Sequence, residues 1–462
     1  MTHNVRGRSP VVIGNGQGFW GDSDIGPLQL VDGSGIHYLT MDFLAEVTMS
    51  IMQKMRSRNS ATGYATDFVA MLERILPQCM EQGIRIIASA GGVNPSACAE
   101  ACAEVVRKLG LNGVRIATVA GDDVLGELED LITSGEPLSS LDTGEDLKDH
   151  LSRVQSANVY LGAAPIVKAL QGGADIVITG RVTDPSLTLA PLIYEYGWSM
   201  EDYDLLAAGT VAGHILECGT QCTGGNFDRW RDVPRMEDIG YPIVEVNQDG
   251  SFVVTKKPGT GGLVDVDTVT AQLVYELGEP QRYLTPDVTA DFTSIQLAVD
   301  GPDRVRVSGT RGTAPTPTYK VSISLQGGYK TVAQLTVGGP DAVDKANLTA
   351  DILFHRLAAD GFSFPPEDRR VELVGHNVLY EGMIPSPSEP TEVLLRVAVR
   401  APDRHAPDRL GVELASLLTS GPPGLTGFAG GRPRASEIVA YWPALITKNR
   451  VSSSVEFQEV VR

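Results

Sequence analysis

The chain has 462 residues, enough for two or three domains of ordinary size. Its 38 lysines and arginines and 57 aspartates and glutamates give a formal net charge of −19, and so acidic a surface disfavours nucleic-acid phosphates and anionic membranes as partners. Hydrophobic residues make up 42% of the sequence, which excludes an intrinsically disordered chain.

Neither a signal peptide nor a membrane helix is indicated, because no apolar run approaches the required length. The five cysteines are an odd number in a large chain, which favours reduced thiols over a disulfide framework. We therefore predict a cytoplasmic protein.

Up to about residue 240, short apolar runs alternate with helical stretches. Runs rich in Val and Ile, separated by helices, are typical of a parallel sheet covered on both faces. Residues 1–240 are thus predicted to form a three-layer α/β domain with a mostly parallel sheet and glycine-rich ligand loops. Strands are predicted at 10–14 and 113–121, and a strand followed by a loop at 84–92 and at 174–184. Helices are predicted at about 42–56, 65–83 and 96–109, and residues 205–218 are interpreted as a further helical stretch.

The pattern changes after this point. Residues 241–259 alternate apolar and polar positions around Gln248-Asp249-Gly250, which predicts a hairpin. Further alternating runs follow, interrupted by helical stretches near 341–359 and 409–418. Residues 241–462 are therefore predicted to form an α+β domain with antiparallel strands.

The first glycine-rich loop, Gly16–Gly21, has the G-x-G-x-x-G spacing of dinucleotide-binding loops, and Asp42 lies where a ribose-binding carboxylate is expected. Bulky residues inside the motif and acidic residues after it argue against a bound pyrophosphate. We predict instead that the loop forms a wall of the active site, with Asp22 pointing into it.

A second loop contains Gly91, Gly92 and Asn94 at the end of a predicted strand and before Pro95. Free backbone N–H groups at such a helix start can bind an anion or a carboxylate. The alternative is that Asn94 simply caps the helix.

The loop that follows the apolar strand 174–178 contains Arg181 and Asp184. Open α/β sheets bind ligands at this end of their strands. Arg181 could bind a carboxylate or phosphate, and Asp184 could orient it or act as a base. A buried Arg–Asp pair that only holds the loop is the alternative.

The segment from His214 to Asn226 is dense in reactive residue types. In a helix, His214 and Glu217 lie on one face, three residues apart, and could act as an acid–base pair. A zinc site would use His214, Cys218 and Cys222, but their spacing fits no zinc motif, so we predict no metal. A core histidine is the alternative.

Further along, Gly224, Gly225 and Asn226 form a loop that could contact the substrate, and Lys257 could receive an anionic group. Ordinary solvated charge is the alternative for Lys257. The chain has no P-loop and no G-x-S-x-G nucleophile motif, and the dinucleotide-loop match is weak, so acid–base chemistry without a cofactor is favoured over oxidation or hydrolysis. A nucleotide- or metal-dependent ligase or transferase is a weaker alternative.

Many strings, in order from about residue 10 to about residue 450, resemble the acyclic terpene utilisation AtuA family. They include GNGQGFWGD, YLTMDFLAE, GGVNP, YLGAAPIVKAL, DIVITGRVTDPSLTLAPL, LLAAGTVAGHILECGTQCTGGNF, VTKKPGTGGLV, YLTPDVTADF and GFAGGRPRASEIVAYWPALI. The resemblance implies a role in the breakdown of acyclic terpenes and branched acyl-CoA thioesters, with hydratase or lyase activity. Longer members carry a C-terminal ferredoxin-like domain, which we expect this chain to lack.

Together these observations predict a lyase or hydratase that acts on a branched, anionic small substrate, in particular a CoA thioester. Arg181 would bind the carboxylate, and His214 with Glu217 or Asp184 would move the proton. A homo-oligomer is expected from the class of protein. The alternative is a non-catalytic or partner-dependent subunit that needs a separate small ferredoxin-like protein.

Overall fold

The computed structural model describes residues 8–376, 378–380, 383, 389–427 and 430–461. The chain divides into two compact units, one of residues up to 324 together with those from 441 onward, and one of residues 325–440. The boundary predicted at residue 240 lies inside the first unit and stays a prediction. Within the described ranges, no helix is both long and apolar enough to cross a membrane.

The helices are, in chain order, α1 (Ile25–Val31), α2 (Glu46–Arg58), α3 (Thr66–Gln82), α4 (Pro95–Lys108), α5 (Leu128–Thr133), α6 (Ala164–Gln171), α7 (Ser186–Tyr196), α8 (Tyr203–Glu217), α9 (Val266–Leu273), α10 (Ala342–Ala359) and α11 (His405–Ser420). The strands are β1 (Val11–Gln17), β2 (Tyr38–Asp42), β3 (Arg85–Ser89), β4 (Val114–Ala120), β5 (Val154–Val159), β6 (Ile176–Thr179), β7 (Pro242–Val246), β8 (Phe252–Lys256), β9 (Tyr283–Leu284), β10 (Thr289–Asp291), β11 (Gln296–Val299), β12 (Val305–Ser308), β13 (Arg311–Thr313), β14 (Thr318–Gly338), β15 (Arg369–Val374), β16 (Glu392–Ala401), β17 (Ser436–Thr447) and β18 (Ser454–Val460).

The first unit is built on a mixed sheet which, in the described residues, has ten strands in the order β11-β12-β8-β7-β1-β2-β3-β6-β4-β18. Its central strands β1, β2, β3, β6 and β4 are parallel. The flanking strands pair antiparallel, among them the predicted hairpin β7–β8. The predicted fold class, a mostly parallel sheet followed by antiparallel strands, is confirmed.

Helices cover both faces of this sheet because the central strands are apolar on both sides. On one face, Leu39, Met41 and Ile86 pack with Phe68 and Leu72 of α3. On the other face, α7 and α8 contact β1 and neighbouring strands. Every residue of α8 from Leu206 to Leu216 is buried, so α8 is a core helix and its polar residues lie inside the protein.

The structure corrects the predicted helix at 42–56. Residues Tyr38–Asp42 form β2, buried throughout between β1 and β3, and α2 begins only at Glu46. The N–H of Ala45 donates to Thr48 Oγ1 at 2.6 Å, which fixes this start. Asp42 therefore ends a strand and does not begin a helix.

The second unit consists of an antiparallel sheet packed against two helices. Strands β15 and β16 and the residues of β14 from 325 pair antiparallel. Helices α10 and α11 contact β16, and Leu353 and Leu414 from these helices pack with Leu335 and Leu395 of the sheet.

Candidate active site

A cleft of about 680 Å³ lies in the first unit. Residues that follow or end the parallel strands β1, β2 and β6 line it, as expected where the carboxyl ends of neighbouring parallel strands meet. Its lining residues are Gly18, Phe19, Trp20, Asp42, Phe43, Leu44, Ala45, Glu46, Thr48, Tyr160, Arg181, Asp184, Glu217, Cys218, Gln221, Tyr275, Glu276 and Lys320.

Arg181 is the buried cation of this cleft. Its Nη1 donates to the carbonyl of Val182 at 2.7 Å and to Asp184 Oδ1 at 2.6 Å, and the guanidinium carbon lies 4.3 Å from the centre of the Tyr160 ring. Its Nε is buried and finds no hydrogen-bond partner among the described residues. The Arg–Asp pair therefore holds the loop and leaves the Arg181 Nε–H without a partner in the described residues.

The backbone of the Arg181 loop is fixed by Asp122, which follows β4. Asp122 Oδ2 accepts hydrogen bonds from the N–H of Arg181 at 2.9 Å and from Asn158 Nδ2 at 3.0 Å. Burial raises the pKa of Asp122 to about 7. Gly180 is required here, because a Cβ at this position would lie 2.1 Å from Asp122 Oδ1.

Asp42 and Asp184 form a pair of carboxyl groups beside Arg181. Asp42 is buried at the end of β2, where its Oδ1 accepts from the N–H of Leu44 at 3.0 Å and from the Ser89 hydroxyl. Burial and the neighbouring Asp184 raise the pKa of Asp42 well above its usual value, although Arg181 opposes this. The pair thus resists a second negative charge, and Asp42 keeps a proton more readily than an ordinary aspartate.

His214 and Glu217 lie one turn apart at the end of α8, as predicted. His214 Nδ1 is 2.9 Å from Glu217 Oε1, and His214 Nε2 lies 3.1 Å from the carbonyl oxygen of Gln272, which accepts its hydrogen bond. His214 is only 1% exposed and does not line the cleft, whereas Glu217 does. The second oxygen of Glu217, Oε2, is buried without a partner in the described part of the chain.

The His214–Glu217 pair binds a proton more readily than the two free side chains do, because the pKa values of both groups are raised. Burial raises the pKa of Glu217, with His214 acting against it. Burial is the largest influence on His214 and lowers its pKa, but the Glu217 carboxylate and the backbone hydrogen bonds to Gln272 and Leu273 together outweigh burial and raise it. Glu217 therefore presents to the cleft a carboxyl group that is easier to protonate than usual. His214 contacts this carboxyl group on the side away from the cleft.

A model of the acyclic terpene utilisation family protein AtuA matches residues 11–457. The chain belongs to the AtuA family. This confirms the family resemblance, and the family name indicates a role in acyclic terpene utilisation. No curated protein and no solved structure matches the chain, so the roles of individual residues rest on the geometry alone.

In this AtuA family member, Glu46, Tyr160 and Lys320 are among the cleft residues that were not predicted from the sequence. Glu46 accepts hydrogen bonds from the hydroxyl of Tyr160 and, at 3.5 Å, from Lys320 Nζ. Lys320 Nζ lies 4.8 Å from the centre of the Tyr160 ring. Burial is the largest single influence on Glu46 and opposes its charge, but the Tyr160 hydrogen bond, a backbone hydrogen bond and the charges of Arg181 and Lys320 together outweigh it and lower the pKa of Glu46. The three come from separate stretches of the chain, so spacing gives no signal for them.

Asp22 does not line the cleft. Its Oδ2 accepts from the N–H of Gly18 at 3.0 Å, and its Oδ1 accepts from the Tyr241 hydroxyl at 3.0 Å. These bonds shape the loop that brings Gly18 to the cleft wall, and a direct substrate contact by Asp22 stays a prediction.

Gly91, Gly92 and Asn94 also lie outside the cleft lining. Asn94 Nδ2 donates to the carbonyls of Ser60 and Thr62 at 2.8 and 2.9 Å. Asn94 occupies the N-cap position of α4, but its side chain makes no capping hydrogen bond to the helix. Its predicted anion-binding role remains a prediction.

The remaining predicted ligands lie elsewhere in the first unit. Gly224, Gly225 and Asn226 are not among the cleft residues. Lys257 Nζ forms an ion pair with Asp32 Oδ2 at 2.9 Å. The contacts found for these residues are with the protein, and substrate contacts by them stay predictions.

Cysteine and metal chemistry receive little support from the geometry. Burial, ahead of the nearby Glu217, raises the pKa of the Cys218 thiol to about 12, which disfavours a thiolate nucleophile. In the ranges that the structure describes, no three or more His, Cys, Asp and Glu side chains are arranged to hold a metal ion.

Proposed function

We propose that this AtuA family member is an acid–base enzyme of the hydratase or lyase type. Its substrate is a branched, anionic small molecule whose acyl group enters the cleft, with a CoA thioester as the leading candidate. One observation supports this most: a guanidinium with an unused N–H lies beside carboxyl groups whose pKa values are raised by burial.

We assign to Arg181 the binding of the substrate's carbonyl or carboxylate oxygen. A carbonyl or carboxylate oxygen accepts a hydrogen bond from its guanidinium, and the fixed positive charge stabilises the negative charge that develops when a neighbouring C–H bond breaks. The Tyr160 ring, Asp122 and Asp184 hold Arg181 before substrate binds, so little rearrangement is needed.

The two proton transfers are assigned to different carboxyl groups. In the elimination direction, the Asp184 carboxylate takes the proton from the carbon next to the carbonyl, and protonated Glu217 gives a proton to the leaving hydroxyl. Water leaves and a carbon–carbon double bond forms; hydration is the reverse. His214 returns the proton to Glu217 without touching the substrate.

The walls of the cleft favour a substrate with an apolar branch. Phe19, Trp20, Phe43, Leu44 and Tyr275 supply apolar and aromatic surface, which suits a branched hydrocarbon chain. The lining includes five acidic side chains against Arg181 and Lys320. Two of the five, Asp42 and Glu217, bind a proton readily, and the other three still outnumber the two cations. Because this excess repels phosphates, the CoA nucleotide is expected to stay outside the cleft.

The direct test is turnover by the purified chain. Branched enoyl-CoA and 3-hydroxyacyl-CoA thioesters are incubated with it in D₂O, and both the double bond and deuterium at the carbon next to the carbonyl are followed by mass spectrometry. Deuterium incorporation without net turnover still supports the assigned base. Neither signal, with free branched hydroxy acids equally inert, would contradict the proposal.

The same test addresses the partner-dependent alternative. A catalytic chain turns over substrate alone, whereas a partner-dependent subunit does so only after a separate ferredoxin-like protein is added. Activity that appears only in the mixture would therefore reassign the chain.

A further inference from the structure

A second, apolar pocket lies in the first unit, outside the cleft. Its volume is about 280 Å³, and seven of its eight lining residues are apolar, including Val274, Leu277, Phe292 and Leu297. The eighth is Thr270, whose hydroxyl already donates to the carbonyl of Val266 at 2.6 Å. No charged side chain lines the pocket, so it offers hydrophobic contact and no partner for a charge.

Size and lining define the class of ligand. A dry apolar cavity of about 150 Å³ can bind benzene, so about 280 Å³ suffices for a hydrocarbon chain of roughly ten carbon atoms. A charge inside the pocket would be unpaired and costly. The ligand is therefore a neutral hydrocarbon chain, with any polar end group at the open side, where Val274 is 60% exposed.

The pocket and the cleft share a wall, the segment 274–277 that follows α9. Val274 and Leu277 line the pocket, whereas Tyr275 and Glu276 line the cleft. Glu276 has a φ of 53°, a left-handed conformation that non-glycine residues rarely adopt and that costs of order 1–3 kcal/mol. A ligand that moves Val274 or Leu277 must also move the two cleft residues between them.

A second connection runs through Phe292. Its ring lines the pocket and packs edge-on against His214, with ring centres 5.3 Å apart. His214 in turn contacts Glu217, which faces the cleft. The pocket thus touches the His214–Glu217 pair on the side that the cleft does not reach.

We propose that this pocket is a second binding site, for a neutral hydrocarbon chain of about ten carbons, and that its occupancy alters the cleft through segment 274–277 and through Phe292–His214. Coupling of this kind is reciprocal, so a cleft ligand changes the affinity of the pocket by the same factor. Binding is measured without turnover, so the outcome does not depend on the proposed reaction.

The test uses decan-1-ol as ligand and the neutral fluorophore N-phenyl-1-naphthylamine as reporter. Val274→Glu and Thr270→Lys place opposite charges at the rim of the pocket on exposed positions, and the matched control Val299→Glu alters a residue that is 74% exposed and lies on β11 outside the pocket lining. We expect both rim variants to weaken decan-1-ol binding by about tenfold or more, because the bound hydrocarbon chain would displace water from a charged side chain that is hydrated in the free protein. The control should bind as the unaltered protein does.

Coupling is read from the ring ¹⁵N signals of His214, assigned by their loss in His214→Asn. Decan-1-ol should shift them in the unaltered protein and in Val299→Glu, but not in Val274→Glu at the same concentration. Three results would overturn the proposal: no saturable binding of decan-1-ol, equal weakening in all three variants, or loss of an oligomer in the glutamate variants by analytical ultracentrifugation, which would assign the apolar surface to contacts between copies.

Discussion

Two buried cations of the first unit form nearly identical ion pairs, yet only one lines the cleft. Arg181 and Lys256 are each 4% exposed in their side chains, and their partners Asp184 and Asp303 are 36% and 39% exposed. The pairs are 2.6 and 2.9 Å long. Burial and pairing therefore do not separate a candidate catalytic cation from a structural one.

The difference lies in what each pair leaves unused. Lys256 Nζ donates to Asp303 and to the carbonyl of Thr260 at 3.1 Å, and it lines neither the cleft nor the apolar pocket. Arg181 Nε has no partner in the described residues. A buried donor without a partner costs free energy, which a bound substrate oxygen would recover.

The largest expected effect distinguishes the two aspartates. Asp184→Asn keeps an oxygen for Arg181 but cannot accept a proton, so we expect turnover to fall by about 10²–10⁴ with the fold intact. Asp303→Asn, the matched change in the other pair, should leave turnover unchanged. Steady-state kinetics with circular dichroism as a fold check measures both, and equal losses would contradict the assigned base.

The two cations give the next largest contrast. Arg181→Gln should lower turnover by about 10²–10³, because the charge that stabilises the developing oxyanion is lost. Arg181→Lys keeps the charge but not the planar fork, and partial activity would show that the variant still folds. Lys256→Gln should lower the melting temperature while turnover per folded molecule stays constant. A loss of turnover as large as that of Arg181→Gln would mean that the two cations do not differ in catalytic role.

Substitutions of Glu217 and His214 should differ in how much turnover they remove and in how they change the pH–rate profile. Glu217→Gln removes the acid that faces the cleft, with an expected loss of about 10², and His214→Asn should cost less because His214 does not line the cleft. His214 lowers the pKa of Glu217, so its removal should move the limb of the pH–rate profile that belongs to Glu217 to higher pH. An unmoved profile would leave His214 with a purely structural role.

Much of the fold could be predicted because its signals are local. Apolar runs such as 174–178 must be buried on both sides, and the turn Gln248–Gly250 defines its hairpin. The loop that contains Arg181 and Asp184 could be predicted as a candidate site for the same reason, since it directly follows one of these runs. His214 and Glu217 were paired by helical spacing alone.

The rest of the site depends on contacts between distant parts of the chain. Asp42 was missed because its strand was taken as the start of α2, and only pairing with β1 and β3 reveals where β2 ends. Lys320 and Tyr160 approach Glu46 from separate regions. Conversely, loops around Asn94 and Gly224 have the right residue types, but their spatial neighbours place them outside the cleft lining.

The smallest expected effect is a pH dependence of the free energy of unfolding, caused by Asp122, which fixes the Arg181 loop. Burial raises the pKa of Asp122 to about 7 in the folded protein, against about 3.9 in the unfolded chain. The folded state thus binds the Asp122 proton more tightly than the unfolded chain does. The stabilisation that this proton gives to the folded state is fully present below about pH 4 and is lost as pH rises through about 7.

Asp122→Asn should remove that dependence, because the amide carries no titrating proton while its oxygen can still accept from the N–H of Arg181. Chemical denaturation at a series of pH values should show the free energy of unfolding falling less for Asp122→Asn than for the unaltered protein between about pH 4 and 7. Asp303→Asn, which alters a half-exposed carboxylate, is the control and should keep the original slope. A parallel decline in all three proteins would mean that Asp122 is ionised in the folded state throughout, and that its two hydrogen bonds offset its burial.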